Sequence, residues 1–519
     1  MEQPSYTASA SMPNSAATAP RVLPSLPILL LCAVFVYIAS VCVYRLRFHP
    51  LSKYPGPRLA AITDLAFAYY FLRGTAVDWI DEQHRRYGPI VRLGPMRLGY
   101  TSPEAVKDIV GHQTGNHKAN RRNLLFSQPN SMFDGHNSVF NEENDILHRQ
   151  QRKLFTNAFS DRALSAQESM IQNYVDKLVA LMRKSAGAPR DAVKLWNFAT
   201  FDIMADLAFG ESLGNLEGDE YHPWVASMFA GFKLGVMISY LQHWPGMSLL
   251  LDLITPKSAK EEAMVHVANS NNSLTKRLER TDVERPDIWG LVLEKQKKGD
   301  AQMSRGSMNA NSNIFMMAGT ETTATALCGL TCLLLKNPDK MKKLVDEVRA
   351  VPSKEELNGL KMRHLKYLGA VIEEGLRVYP AVPAANLRDI APGGNVIMGD
   401  HLPEKTVVGI SHWSAFHSPL NFHNPDAFVP ERWILDDEEY KEYHDFDKRH
   451  GFKPFSDGPR NCLGKNLAYY ELRALLAHAV WHFDFELCPE SENWLQGQKT
   501  WQLWDKPELM IRIKERSYE

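Results

Sequence analysis

From Ser25 to Tyr44 the chain reads SLPILLLCAVFVYIASVCVY, with no charged side chain. At 1.5 Å per residue such a run spans a hydrocarbon core of about 30 Å and predicts a transmembrane helix. The charges that follow, Arg45, Arg47, Lys53 and Arg58, are all basic, whereas upstream there are Glu2 and Arg21. Positive flanks stay cytosolic, so the bulk of the chain is expected in the cytosol and the N-terminus in the lumen. A cleaved signal peptide is the alternative, but the run is long for one and no A-x-A site precedes the basic cluster. Residues 1–24, rich in Ser, Ala, Thr and Pro, predict a disordered luminal tail, and 25–44 the anchor.

Downstream the pattern turns helical. Trp79 to Tyr87 is amphipathic and predicts a helix; after Gly88-Pro89, Ile90 to Gly94 predicts a short strand. Asn309 to Lys336 reads as a long apolar helix. Asn337-Pro338-Asp339 starts the next, with an Asn N-cap, a Pro in the first turn and an acid near the positive end. Val396 to Ile410 alternates apolar residues with Gly and Pro turns and predicts a small sheet. Residues 231–250, GFKLGVMISYLQHWPGMSLL, carry a single charge. They read equally as a pair of core helices or as a surface loop dipping into a membrane. The expected fold class is mainly α with small β-sheets. A length of 519 residues would ordinarily hold about three domains. No Pro/Gly/Ser linker divides residues 45–519, so a single large domain is expected there.

Composition narrows the function. Lys plus Arg is 59 and Asp plus Glu is 60, a net charge of −1. Such a chain has no global field to hold nucleic acid. Six cysteines are too few for a disulfide scaffold and form no C-x-x-C pair. A reducing compartment fits.

One constellation carries strong chemistry. Phe455, Gly458, Arg460, Cys462 and Gly464 fill F-x-x-G-x-R-x-C-x-G, a match expected by chance on the order of 10⁻⁴ times in this length. Gly458 permits a tight left-handed turn. Cys462 precedes a helix with the apolar stripe Ala468, Leu472, Leu475, Leu476 and Ala479. Sulfur at a helix N-terminus feels the positive dipole end, and Arg460 adds a nearby cation, both favouring thiolate. A lone thiolate without a second Cys or His at ligand spacing is no zinc site; it suits the axial position of a haem iron.

On these residues the segment resembles the haem-binding loop of the cytochrome P450 monooxygenases, and the resemblance extends over most of residues 50–515 with further motifs in the family's order. Ala318-Gly319-Thr320-Glu321-Thr322-Thr323 matches the turn that crosses the distal face of haem. Taken alone it is a weak helical turn suited to local opening, or a Thr-rich buried helix whose hydroxyls bond i−4 carbonyls. The resemblance implies that Gly319 leaves room for dioxygen, Thr322 hydrogen-bonds it and Glu321 relays protons from solvent. Glu374-x-x-Arg377, with Arg432 further on, matches the family's structural charged triad. His148 and Arg152 stand where the family has W-x-x-x-R, with His148 in place of Trp. The resemblance implies that they hold a propionate of haem b, joined by Arg388 and Arg460.

The implied reaction is R–H + O₂ + 2e⁻ + 2H⁺ → R–OH + H₂O, with Cys462 as the iron ligand. No flavin domain or G-x-G-x-x-G unit is present, so NADPH-cytochrome P450 reductase, with cytochrome b5 as a second donor, is the expected partner. Lys453, Arg460, Lys465, Arg152 and Lys153 would form its docking face. The expected location is the endoplasmic reticulum membrane, single-pass. Expected pocket walls are Phe315 to Ala318, Ala381 to Ala385, 124–140 and 231–247, which suit an apolar small molecule. The stretch HWSAFHSPLNFHNPDAFVPERW looks like filamentous-fungal members of the family that act on polyketide, terpenoid or alkaloid intermediates. Within enzymes the alternative is a haem-thiolate isomerase, dehydratase or peroxygenase; outside them, a haem sensor. The intact Glu321–Thr322 pair argues against both.

Overall fold

The computed structural model describes Met1 and residues 26–112, 119–125, 133, 135–280, 287–299, 301–359 and 361–517. Apart from Met1 the expected tail lies outside the described residues. The chain divides into two compact units, Met1–His49 and Pro50–Glu519. In the first, helix α1 (Leu26–Val43) has no buried side chain and is apolar on every side. Such a helix lacks the single apolar stripe of one that packs on a core. Leu26–Phe48 is long and apolar enough to cross a membrane.

The second unit is mostly helical. Its elements used below are α2 (Leu65–Leu72), α3 (Ala76–Tyr87), α4 (Asp145–Thr156), α5 (Ala192–Phe209), α6 (Pro223–Leu241) and α7 (Met247–Ile254). They continue with α8 (Arg305–Lys336), α9 (Pro338–Arg349), α10 (Lys366–Val378) and α11 (Lys465–His482). Local signals explain the ends. Asn144 caps α4 by accepting from the Ile146 and Leu147 amides, and α3 stops at Gly88 with φ +98°. Ser304 caps α8, which therefore begins a turn before the expected Asn309. Asn337 is the N-cap of α9, as expected, and its carbonyl accepts from the Lys340 and Met341 amides. Its side-chain amide turns back to donate to the Leu333 carbonyl at 2.7 Å, so the side chain closes α8 and makes no cap bond to α9.

α8 is the spine of this unit. Nearly all of α5 is buried and lies against it, with α10 and α11 on other sides. Residues 231–250 fall on two helices, α6 with a packed face and α7 with an exposed one. Val236 and Tyr240 of α6 pack with Phe67, Phe71 and Trp79 in a second, smaller core. By contrast, Leu249, Leu250 and Leu253 of α7 are 83%, 51% and 83% exposed.

The largest sheet joins β1 (Ile90–Gly94), β2 (Arg97–Tyr100), β3 (Arg121–Arg122), β4 (Arg388–Asp389) and the later strand Val407–Ile410. The predicted Val396–Ile410 sheet is split. Its first part is a hairpin of β5 (Asn395–Ile397) and β6 (Asp400–Leu402), turned at Met398 and Gly399 with φ +51° and +83°. Its last part, β7 (Val407–Ile410), runs parallel to β2 in the larger sheet. The order there is β1-β2-β7-β4-β3. A separate hairpin, β8 (Lys499–Trp501) and β9 (Leu503–Asp505), turns at Gln502 with φ +71°.

Candidate active site

The cysteine loop is closed by the Cys462 amide donating to the Phe455 carbonyl at 2.9 Å. Gly458 sits at φ +73°, and a Cβ there would lie 2.0 Å from the Val110 carbonyl oxygen, so only glycine fits. Gly464 is the N-cap of α11. Its amide donates to the Cys462 sulfur and, with Arg152 and then Lys465, lowers the thiol pKa; desolvation is the larger influence, and the net direction is upward. The expectation of a favoured thiolate is thus met by the dipole and the cations but outweighed by burial. The cations that act are Arg152 and Lys465, because Arg460 turns away to other partners. Cys462 also keeps exposed surface. A sulfur that is both open and desolvated faces an internal space rather than bulk water.

A similar opening lies on α8. Ala318 is exposed and Thr322 half-buried, whereas Thr320, Glu321 and Thr323 are buried. Ala318 and Thr322 are four residues apart and share a face. The Thr322 hydroxyl donates to the Ala318 carbonyl at 2.8 Å, and Thr320 to Met316 at 2.6 Å. The helix is therefore continuous, with threonines back-bonded rather than an opened turn. Gly319 does not lead into open space either: a Cβ there would meet Met204 Sδ of α5 at 2.6 Å. The glycine lets two core helices approach. Phe315, an expected pocket wall, packs instead into an aromatic cluster with Phe155 and Phe159, at 4.8 and 5.7 Å between ring centres. Ala384 and Ala385 do line an apolar cavity, together with Phe71, Ile80 and Leu93. Part of the expected 124–140 wall lies outside the described residues.

Cationic side chains crowd together between α4 and the large sheet. Arg122 and Arg388 are directly opposed across β3 and β4, a pairing of like charges that ordinarily destabilises a sheet. Burial, then Arg388, then Arg460 push the Arg122 pKa down to about 9. Burial followed by Arg460 brings Arg388 to about 10. Burial, Arg460 and Arg152 bring His148 to about 4, so its ring is neutral and has an N–H to donate. Arg460 pairs with Asp145 at 2.7 Å and donates to the Glu142 carbonyl at 2.6 Å. Arg152 donates to the Asn461 carbonyl at 2.8 Å, tying α4 to the cysteine loop. Among the described residues Arg122 Nε has no hydrogen-bond partner. This concentration of desolvated positive charge fits a dianionic group such as the two carboxylates of haem. Arg122 was not visible in the sequence, where a basic pair in a loop has no distinguishing pattern; strand register reveals it.

Behind the loop, Glu374, Arg377 and Arg432 are all 0% exposed. Arg377 grips Glu374 through Nε and Nη2 at 2.9 and 2.8 Å, and Arg432 Nε reaches Glu374 Oε1 at 3.1 Å. Asp447 extends the expected triad, accepting from Arg432 Nη1 at 2.7 Å. Arg377 also donates to the carbonyls of Phe416, Pro425 and Ala427. The network clamps the segment before the cysteine loop to α10.

The cytochrome P450 family model matches residues 55–512. The chain belongs to the cytochrome P450 family. It is similar to cytochrome P450 monooxygenase FUM2 of Gibberella moniliformis, with 41% identity over 91% of this chain and 99% of that one. Cytochrome P450 monooxygenase efuB of Hormonema carpetanum is 40% identical over 92% and 94%. The averantin hydroxylase of Dothistroma septosporum is 37% identical over 94% and 91%. The solved cytochrome P450DA heme domain shares the fold with a TM-score of 0.73 at 17% identity, over 87% of this chain and 95% of that one. This P450 is accordingly an oxidoreductase, a haem-thiolate monooxygenase that works with O₂, an electron-donating partner and a substrate.

Proposed function

We propose that Cys462 is the axial thiolate ligand of haem b and that this P450 inserts one oxygen atom of O₂ into an apolar small molecule of secondary metabolism. The observation that carries the ligand assignment is the open but desolvated sulfur of Cys462 at the start of α11. Bound haem supplies the oxidising chemistry, which consumes two electrons and two protons per oxygen atom inserted. Phe455, Gly458 and Gly464 shape the loop that presents the sulfur. Arg122, Arg388 and Arg460 hold the haem carboxylates, with Arg152 and the neutral N–H of His148 beside them. Thr322 presents its hydroxyl on the open face of α8, and Glu321 feeds protons toward it. The substrate is a polyketide, terpenoid or alkaloid intermediate, a reading supported by the similarity to fungal monooxygenases of secondary metabolism such as the averantin hydroxylase.

Electrons come from NADPH-cytochrome P450 reductase, with cytochrome b5 as a further donor. An open cleft flanked by Lys366, Lys453, Lys465 and Arg473 beside Phe455 supports docking of an acidic partner. The all-apolar α1 and the basic Arg45 and Arg47 support a single pass of the endoplasmic reticulum membrane, with Pro50–Glu519 in the cytosol. The deciding experiment is Cys462→Ala. It should abolish the thiolate-type absorption of the reduced CO complex, and an unchanged spectrum would refute the ligand assignment.

A further inference from the structure

Lys506 follows β9 and reaches the buried acid of α8. Its ammonium pairs with Glu321 and also donates to Thr325 Oγ1 at 2.8 Å. The two charged side chains are 4% and 10% exposed. The Thr325 hydroxyl donates to Glu321 Oε1 at 3.4 Å, while Oε2 has no hydrogen-bond partner among the described residues. Glu321 and Thr325 are four residues apart on one face of α8, and Thr322 lies about 100° around the helix from Glu321. Thr325 is about 40° around from Glu321 in the same sense, between it and Thr322, so the ion pair fixes the carboxylate beside Thr325, toward the Thr322 side of the helix. A buried ion pair contributes little net stability compared with well-packed apolar side chains. Its location beside the acid therefore calls for another reason.

The hairpin that carries Lys506 supplies one. Asp505, the adjacent residue, pairs with Lys233 of α6 at 3.2 Å. The same ammonium sits 3.8 Å over the Trp501 ring of β8. The β8–β9 hairpin is thereby tied to α6 through Asp505 and Trp501, and to Glu321 through Lys506, the residue next to Asp505. We propose that Lys506 is a positioning residue for proton delivery, fixing the Glu321 carboxylate on the Thr325 side of α8 and making that position depend on α6 through the hairpin. This rests on the reading of Glu321 and Thr322 as the proton path.

The test uses full-length, haem-loaded protein with its reductase and 7-ethoxycoumarin as the probe substrate. Product formed per NADPH and the H₂O/D₂O rate ratio are read for wild type, Glu321→Gln, Lys506→Met, Lys506→Arg and Glu321→Gln/Lys506→Met. Misplacing the acid should lower product per NADPH about tenfold in Lys506→Met, raise the solvent isotope ratio, and be largely restored in Lys506→Arg. The double variant should be no worse than the worse single one. In the resting protein, the two single changes should be non-additive in thermal unfolding. Wild-type coupling in Lys506→Met with loss in Glu321→Gln overturns the Lys506 assignment alone. Wild-type coupling in Glu321→Gln overturns the proton-path reading beneath it. Additive unfolding shifts also overturn the proposal, because the contact would be absent. Should Lys506→Met not fold, Lys233→Met cuts the tie from the surface and should move coupling in the same direction; no change there overturns the link to α6.

Discussion

Glu471 offers a direct test of how burial sets protonation in this P450. It lies on α11 with 0% exposure, with the Thr323 hydroxyl of α8 facing its carboxyl group. Desolvation pushes its pKa up to about 8, and the Thr323 hydroxyl facing it from α8 lowers it only in part. At neutral pH the folded protein therefore keeps Glu471 protonated, while the unfolded chain ionises it near 4.5. Below that value both states are protonated and folding costs nothing extra. Between about 4.5 and 8 the unfolded state binds fewer protons, so stability falls as pH rises; above about 8 the loss is complete. At 1.36 kcal/mol per pH unit, the interval from pH 5 to pH 8 is worth about 4 kcal/mol. Glu471→Gln keeps the shape and removes the titration. An unfolding entropy of about 2.1 cal/mol/K per residue over roughly 470 residues gives about 1 kcal/mol/K, so the Tm advantage of the variant should grow by about 4 °C over that interval. Differential scanning fluorimetry of both holoproteins at a series of pH values measures it. A Tm difference that stays constant from pH 5 to pH 8 would refute the argument.

Gly458→Ala should leave little haem-loaded protein, because the new methyl meets the Val110 carbonyl and the backbone holds φ +73°; haem absorbance per protein reports it. Arg377→Met should strand Glu374 without its main partner and cost on the order of 3–5 kcal/mol, seen as a lower Tm and poor soluble yield. Arg122→Gln should speed haem transfer to apomyoglobin, whereas Arg121→Gln, at the exposed neighbour, should not; equal rates would remove Arg122 from the site. Deleting residues 1–48 should release most of the protein from membranes in a flotation assay; retention would point to the exposed leucines of α7.

Short-range chemistry was legible in the chain. The spacing from Phe455 to Gly464 announced a glycine turn and a cysteine at a helix start, since both depend on neighbours within one turn. The uncharged run before Arg45 announced α1, and the strand Ile90–Gly94 stands where its pattern placed it. Other local readings failed where a distant group intervened. Gly319 serves Met204 of α5, the Asn337 side chain closes α8 although the residue caps α9 by position, and Phe315 serves an aromatic cluster with α4. Beyond the i,i+3 pair Glu374–Arg377, the charge pattern was tertiary. Arg122 meets Arg388 only through the β3–β4 register, Glu321 meets Lys506 only because the terminal hairpin folds back onto α8, and Glu471 holds its proton only because α11 buries it against that helix. Periodicity and turn residues encode contacts a few positions apart, which is why the sequence by itself determined the apolar N-terminal helix, the later helices and the cysteine loop. Electrostatic energy depends on burial and on whichever charges the folded chain brings within a few ångströms, and that only the tertiary structure decided.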